Sequence, residues 1–338
     1  MPGSVGDPGG SAARDSVSPV TSYPPAIDDL DRGIVERLRR DGRETNRSMA
    51  GAFGVSEATI AARLRRLEAH NVVHVVALTD MHRFGFPYLA IGMVSVEGRL
   101  VSQVAAEIAA IPQTIFVHLH TGSYGVICAV LAEDLVELGR VFGEVIPRVR
   151  GVRAVRCELA IDVLRFDSEW APLDAGDQGV LPEPTIPAHA VDEQDLDIIH
   201  ALQRDARSSN RSIAAALAVS EGTVRARLRR METNQLIRIR AISDLAAFGM
   251  DCSAMVGVRA ANGRITEVAD GLLGMDDIAV IVRSLGDFDF IVTSLTTSRE
   301  VLLDMVLRRI QGLDGVSGTE VFEIAGIAKH VYTWARLV

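Results

Sequence analysis

Arginine side chains concentrate in one stretch of the chain, where they could contact phosphate groups. Between residues 205 and 240 eight arginines stand against three acidic residues, although the whole chain of 338 residues carries a formal net charge of −9. A local cationic surface of this kind can attract nucleic-acid phosphates even on an acidic protein. Lys329 is the only lysine, so arginine is used at almost every cationic position of the chain and the clustering of the arginines is the informative feature.

The cationic stretch contains two predicted helices joined by a tight turn, and the same pattern occurs earlier in the chain. In the first copy, residues 48–53 predict a short helix, Gly54 and Val55 the turn, and Ser56 the N-cap of a longer helix. Apolar residues of the longer helix recur at i, i+4 and i+7, so they should face a core and leave the other side exposed. The exposed side of such a helix can present its N-terminal residues to DNA bases and its cations to phosphates. A solvated amphipathic helix without a ligand is the alternative.

Both copies therefore supply predicted DNA-binding residues. The first set is Arg47, Ser56, Glu57, Ala58, Thr59, Ala62, Arg63, Arg65 and Arg66. The second set is Arg211, Ser220, Glu221, Gly222, Thr223, Arg225, Ala226, Arg227, Arg229 and Arg230. Base reading is expected from the first turn and Arg63, whereas Arg65 and Arg66 are expected to hold the phosphate backbone.

Histidine and cysteine positions do not predict a metal or catalytic site. His118 and His120 alternate on one face of a predicted strand, but no third ligand is evident, so a surface or interface pair is expected. Three cysteines lie far apart without a C-x-x-C pair and are interpreted as reduced, packed thiols. No Ser-His-Asp signature, phosphate loop or pair of catalytic carboxylates appears.

The chain consists of a duplication with an offset of 164 residues. The segment that begins at Asp31 matches the segment that begins at Asp195 without a gap, and the same offset joins Gly122 to Gly286. Each half predicts three short helices and a strand, and then strands and helices in the order β-α-β-β-α-β at 87–165 and 251–331. The Gly, Ser and Pro content of residues 1–26 predicts a disordered tail, and residues 167–190 have the composition of a linker.

These features resemble the leucine-responsive regulatory protein family, also called Lrp/AsnC. The resemblance rests on the pattern S-x-x-T-[IV]-x-x-R-L-R-R-[LM]-E, a Phe-Gly step at residues 84 and 248, and the β-α-β-β-α-β module. It covers residues 28–165 and 192–331. It implies an α+β fold of two repeats, each a winged helix-turn-helix domain of three helices followed by a ferredoxin-like (ACT-like) domain. The expected helix-turn-helix domains span 27–80 and 191–244, and the expected effector and oligomerisation domains span 81–166 and 245–338.

The resemblance also implies a transcriptional regulator that binds double-stranded DNA and a small amino-acid-like effector. Family effectors lie near a G-x-Y-D turn, which corresponds to Gly122, Ser123, Tyr124 and Gly125 in one half and to Gly286, Asp287, Phe288 and Asp289 in the other. The first turn lacks the acid and the second lacks the tyrosine, so binding is expected to be lost or altered in one half. A glycine turn can bring amides to a carboxylate, and Asp289 could hold an amino group, although a plain hairpin turn is the alternative.

Two other functions are compatible with the same resemblance. Siroheme decarboxylases resemble this family and can be fused pairs, in which case His118 and His120 would be the nearest candidate residues. An amino-acid-sensing assembly protein without DNA binding is the third possibility. Because both basic helices are intact, the prediction is a regulator that is not an enzyme, with no cofactor, assembled as a dimer or tetramer of the tandem chain. No secretion signal or membrane span is evident, so a cytoplasmic location is expected.

Overall fold

Three helices and a strand begin the first half of the chain. They are α1 (Asp29–Arg40), α2 (Asn46–Phe53), α3 (Glu57–Ala69) and β1 (Val73–Asp80). The computed structural model describes residues 26–167, 170–171, 191–244 and 246–335. Asp28 caps α1 by accepting a hydrogen bond from the Asp31 amide, and the Asp31 carboxylate accepts one from the Asp28 amide. Gly54 ends α2 at a φ of +66°, in the left-handed region, and Ser56 caps α3 by accepting from the Thr59 amide.

A module of strands and helices completes the first half. It contains β2 (Tyr88–Val96), α4 (Val101–Ala109), β3 (Thr114–His120), β4 (Val126–Ala132), α5 (Leu135–Arg140), β5 (Val152–Phe166) and the short β6 (Trp170–Ala171). After α5 the chain continues as a π-helical turn (Val141–Val145) and a 3-10 turn (Ile146–Arg148). The sequence predicts one helix over 134–146. The helical segment has about this extent, but only its first part is α-helical. Pro147 stands in the 3-10 turn, where its missing N–H removes a helical hydrogen bond.

The second half repeats this order. It contains α6 (Glu193–Arg204), α7 (Asn210–Ala216), α8 (Glu221–Thr233), β7 (Ile237–Asp244), β8 (Cys252–Ala260), α9 (Ile265–Leu273), β9 (Ile278–Leu285), β10 (Phe290–Thr296), α10 (Arg299–Asp304), β11 (Val316–His330) and β12 (Trp334–Ala335). The predicted tail and linker fall largely outside the described residues, but β6 lies within the predicted linker and pairs with β7 in parallel.

Two strand pairings join the halves with approximate two-fold symmetry. β1 and β7 pair antiparallel, and Val76 lies opposite Arg240, which is its own copy under the 164-residue offset. The long strands β5 and β11 each begin in their own sheet and end in the other, because β5 pairs with β2 and β9 and β11 pairs with β8 and β3. This exchange closes an eight-stranded barrel in the order β10-β8-β11-β3-β4-β2-β5-β9.

The barrel separates two apolar layers. Val104 and Ile108 of α4 pack with Ala90 and Val94 of β2 on the outside. The alternate residues of β2, such as Ile91, belong to a cluster that joins both halves inside the barrel. None of the helices in the described part of the chain is long and apolar enough to span a membrane. The predicted α+β fold of two repeats is confirmed.

Candidate DNA interface and effector turns

Helices α3 and α8 present the faces that the sequence predicts. Ile60, Leu64 and Leu67 are buried in the core of the first three helices. Exposed residues of α3 include Glu57, Ala58, Ala62 and Arg65, and those of α8 include Glu221, Gly222, Arg225, Ala226 and Arg229. The hydroxyl groups of Ser56 and Thr59 lie 2.8 Å apart in the helix cap, as do those of Ser220 and Thr223. The N-terminal turns of both helices are therefore open to solvent.

Four of the predicted DNA-binding arginines are instead held by the first helix of their own motif. Arg63 donates to Asp31 over 3.2 Å and also pairs with Asp28, and Arg66 pairs with Asp31. The Asp31 side chain is fully buried, so these hydrogen bonds offset the cost of burying its charge. Asp31 therefore completes the capping box of α1 and anchors α3 to it.

The second copy repeats this network. Arg227 donates to Asp192 over 2.7 Å and to Asp195 over 2.9 Å, and Arg230 pairs with the fully buried Asp195. The hydrogen bonds from the Arg227 side chain and the Asp195 amide lower the pKa of Asp192. Sequence reasoning missed both networks. The available signal was the Asp-x-x-Asp pair at each helix start, which is a capping pattern.

The remaining exposed arginines are unequally distributed between the copies. Among the described residues, none accepts a hydrogen bond from the side chains of Arg47, Arg65, Arg211 or Arg229. Arg225 pairs with the exposed Glu221 over 2.6 Å, one helical turn away. The position that corresponds to Arg225 is Ala61 in the first copy. The second copy therefore offers the more cationic exposed surface.

Two arginines at the contact between the helix-turn-helix units fix their relative position. Arg43 donates to the Ser208 carbonyl over 2.8 Å. Its copy Arg207 donates to the Gly42 carbonyl over 3.1 Å and to the Asn46 side chain over 3.0 Å. Burial lowers the pKa of Arg207. Arg207 belongs to the arginine cluster of the sequence, but the structure places it between the units.

The two predicted effector turns differ in their surroundings. In the first turn (residues 122–125) Gly122 has a φ of +110°, and Tyr124 packs edge-on against Phe322 with ring centroids 5.9 Å apart. In the second turn (residues 286–289) the amides of Asp287 and Phe288 donate to Glu158 over 2.9 and 3.2 Å.

Asp289 also has a structural partner. Its carboxylate accepts a hydrogen bond from the Ala260 amide over 2.7 Å. The amides and the acid that the sequence assigns to an effector in the second half thus already bind groups of the chain itself.

His118 and His120 lie inside the barrel, at the junction of the two halves. The Nε2 atom of His118 is 3.2 Å from Nδ1 of His330 on β11. Burial lowers the pKa of His118 well below its ordinary value and lowers those of His120 and His330 to about 4. His118 and His330 line a cavity of about 130 Å³ together with Phe116, Phe166, Met255 and Trp334. No cluster of three or more His, Cys, Asp or Glu side chains suited to a metal ion occurs in the described part of the chain.

Comparison with known sequences identifies domains in both halves. The AsnC-type helix-turn-helix domain matches residues 27–68 and 191–232, and the Lrp/AsnC ligand binding domain matches residues 89–169. The chain is 30% identical over 131 residues to the HTH-type transcriptional regulator FL11 of Pyrococcus abyssi, covering 38% of this chain and 86% of that protein. It is 28% identical over 141 residues to an uncharacterised HTH-type transcriptional regulator of the same organism, covering 41% of this chain and 89% of that protein.

Comparison with solved structures identifies a scaffold of the same length. The siroheme decarboxylase NirDL matches with a TM-score of 0.62 and 15% identity, over 90% of this chain and 93% of that chain. NirDL in co-complex with an iron-uroporphyrin III analogue matches over the same shares with a TM-score of 0.60. At this identity the match concerns the fold. It contradicts the prediction that the chain is not an enzyme, because an enzyme is built on this tandem scaffold.

Proposed function

The chain belongs to the Lrp/AsnC family, and we propose that it is a transcriptional regulator that binds double-stranded DNA through α3 and α8. One observation carries the proposal. The two helix-turn-helix units are related by an approximate two-fold axis near the Val76 and Arg240 pair, and the N-termini of α3 and α8 are both exposed. Approximate two-fold symmetry is the arrangement that two half-sites on DNA require.

The two helices have different roles in this proposal. Arg225 and Arg229 of α8 contact phosphates beside the bases that Glu221, Gly222 and Thr223 approach, with support from Arg211 of α7. Helix α3 supplies Arg65 beside Glu57 and Thr59, with support from Arg47 of α2. Arg63, Arg66, Arg227 and Arg230 act indirectly, because their ion pairs with α1 and α6 orient the helices. The half-sites therefore need not be identical.

The effector is a small carboxylate-bearing molecule of the amino-acid type, and it binds at the first turn. Among the described residues, no group accepts a hydrogen bond from the amides of Ser123 and Tyr124, so both can serve a ligand. Binding there alters the pairing of the helix-turn-helix units through β11 and β12. Trp334 of β12 lies opposite Thr79 of β1 and packs edge-on against Phe84 at 5.7 Å.

Assembly into dimers or tetramers of the tandem chain uses the outer surfaces of the modules. Val136 on α5 is 80% exposed and Leu307 after α10 is 56% exposed. Apolar side chains at these positions lose contact with water when copies associate. A cytoplasmic location is part of the same proposal, since the targets are DNA and a small metabolite.

The test compares two double variants in DNA titrations. Fluorescence anisotropy with promoter fragments at two salt concentrations should show steep salt dependence for the wild-type protein. Arg225→Ala/Arg229→Ala should weaken binding by about tenfold and flatten the salt dependence, because about two phosphate contacts are lost. Arg148→Ala/Arg153→Ala changes two highly exposed arginines of the first barrel module and should have no effect. If both double variants behave alike, the assigned surface is wrong.

A second candidate function is tetrapyrrole chemistry of the kind carried out by NirDL. The favouring observation is the group of buried histidines that faces the barrel cavity. The described residues that line this cavity include no arginine or lysine, whereas a uroporphyrin is larger than the cavity and bears several carboxylates. This function therefore requires the barrel to widen. A saturable change in the absorbance of added iron uroporphyrin, abolished by His118→Val, would support it.

A further inference from the structure

Glu158 of the first half is buried against the second turn. Glu158 belongs to β5 and directly precedes Leu159, where this strand begins to pair with β9 of the second half. The residue is 1% exposed. Both of its carboxylate oxygens accept backbone hydrogen bonds, Oε1 from Asp287 over 2.9 Å and Oε2 from Phe288 over 3.2 Å. Two successive amides directed at one carboxylate form an anion-binding site.

Gly286 leaves the space that the Glu158 carboxylate occupies. A Cβ atom at Gly286 would lie 2.3 Å from Oε2 of Glu158, so the carboxylate would have to move if a larger residue stood there. The cost of burying a carboxylate is offset here by the two amide hydrogen bonds. The turn and Glu158 are thus shaped to each other.

The duplication shows what the same position holds when no carboxylate is present. The copy of Glu158 is Phe322, which packs against Tyr124 of the first turn. One turn therefore receives an acid from the other half of the chain, and its copy receives an aromatic ring. Residues 158 and 322 are equivalent positions of the two modules, so the difference arises from the side chains that stand there, because the backbone fold is the same.

We infer that the second turn is a carboxylate-binding site that Glu158 fills permanently. The chain then binds one carboxylate effector, at the first turn, instead of two. This statement deepens the effector part of the proposed function, but the occupancy of the second turn can be tested without DNA or a known effector.

Acetate is the probe. Glu158→Ala removes a CH2–COO⁻ group from the side chain, and an acetate ion has the size and charge to fill the space that is left. Acetate should raise the Tm of Glu158→Ala in a saturable manner, by about 3 °C more than it raises that of the wild-type protein. Sodium chloride at equal ionic strength should not produce this difference. Any acetate bound at the first turn contributes equally to both proteins and cancels.

Two control variants separate a filled site from a general effect. Glu158→Gln retains the volume of the side chain, so acetate should have no more effect on it than on the wild-type protein. Phe322→Ala opens space at the copy of the site without removing a carboxylate, so acetate should raise its Tm by no more than it raises that of the wild-type protein. An equal acetate response in Glu158→Ala, Glu158→Gln and wild type would overturn the inference.

Amide hydrogen exchange gives a second measurement if Glu158→Ala does not fold. In the wild-type protein the Asp287 and Phe288 amides should exchange at least tenfold more slowly than the Ser123 and Tyr124 amides. Glu158→Gln should reduce the protection at residues 287 and 288. Equal exchange at the two turns would overturn the inference, whereas loss of DNA binding alone would overturn only the regulator function.

Discussion

The two halves of the chain share one fold, but they differ in the polar groups at four pairs of equivalent positions. Both halves keep a buried aspartate, Asp31 or Asp195, that completes the capping box of the first helix and holds two arginines of the third helix. By contrast, Ala61 corresponds to Arg225, the two barrel histidines correspond to Val282 and Ser284, and Glu158 corresponds to Phe322. The comparison separates the interactions that both units share from the side chains that differ between them.

The shared network should produce the largest effect. Asp195→Ala removes one acid of the capping box of α6 and the buried partner of Arg227 and Arg230, and it should lower the free energy of unfolding by about 2–3 kcal/mol. Asp31→Ala should cost a similar amount, because the first copy has the same contacts. Urea denaturation followed by circular dichroism measures both.

The matched control for this prediction is Asp197→Ala on the same helix. Asp197 is exposed, so its loss should change the free energy of unfolding by no more than about 0.5 kcal/mol. An unequal cost of Asp31→Ala and Asp195→Ala would show that the two networks are not equivalent. Equal costs at residues 195 and 197 would contradict the role of the buried acid.

The barrel histidines should make stability depend on pH. The pKa of His120 is lowered by burial from its ordinary value of 6.5 to about 4, so the unfolded chain binds more protons between these values. Stability is then fully present above pH 6.5 and is lost as the pH falls towards 4. The difference in proton binding at His120 alone should lower the free energy of unfolding by about 2 kcal/mol when the pH falls from 7.5 to 5.

Residues of the second half provide the variant that tests this dependence. His118→Val/His120→Ser copies Val282 and Ser284 into the first half. It should make the pH profile in urea denaturation less steep between pH 5 and 7.5, and the remaining slope should come from His330, whose pKa burial also lowers to about 4. His200→Ser, at an exposed histidine, serves as the control. If the double variant keeps the wild-type slope, other groups cause the acid sensitivity.

Local patterns were sufficient to predict the elements of the fold. The helix spacing of Ile60, Leu64 and Leu67, the cap at Ser56 and the left-handed turn at Gly54 are all properties of neighbouring residues. The gapless repeat then extends each prediction to the other half. The same spacing directed Ala62 away from the core, and Ala62 is exposed, whereas Arg63 and Arg66 are half-buried.

Contacts between distant segments could not be predicted in this way. Arg63 and Asp28 are 35 residues apart, so an outward direction on α3 does not reveal that α1 supplies a partner. Strand alternation places His118 and His120 on one face, but only the closure of the barrel makes that face the interior. Glu158 and Asp287 are 129 residues apart and meet because β5 crosses into the other sheet.

The smallest predicted effect concerns the difference in exposed arginines between α3 and α8. Ala61→Arg gives α3 the cation that α8 has at Arg225, and Glu57 stands one helical turn before it, as Glu221 does before Arg225. One added phosphate contact should tighten DNA binding by about threefold and steepen the slope of log Kd against log salt by about 0.9.

Fluorescence anisotropy at four salt concentrations measures this change, and Ala154→Arg adds the same charge at an exposed site on the barrel. Ala154→Arg should leave the salt slope as it is in the wild-type protein, because that surface does not face DNA in the proposed complex. A steeper slope for Ala61→Arg alone would mean that the first copy also contacts DNA. Its contribution to DNA binding would then be smaller than that of the second copy because it lacks the cation at residue 61. An unchanged slope for both variants would restrict DNA contact to the second copy, because a cation on α3 that meets no phosphate releases no counterions.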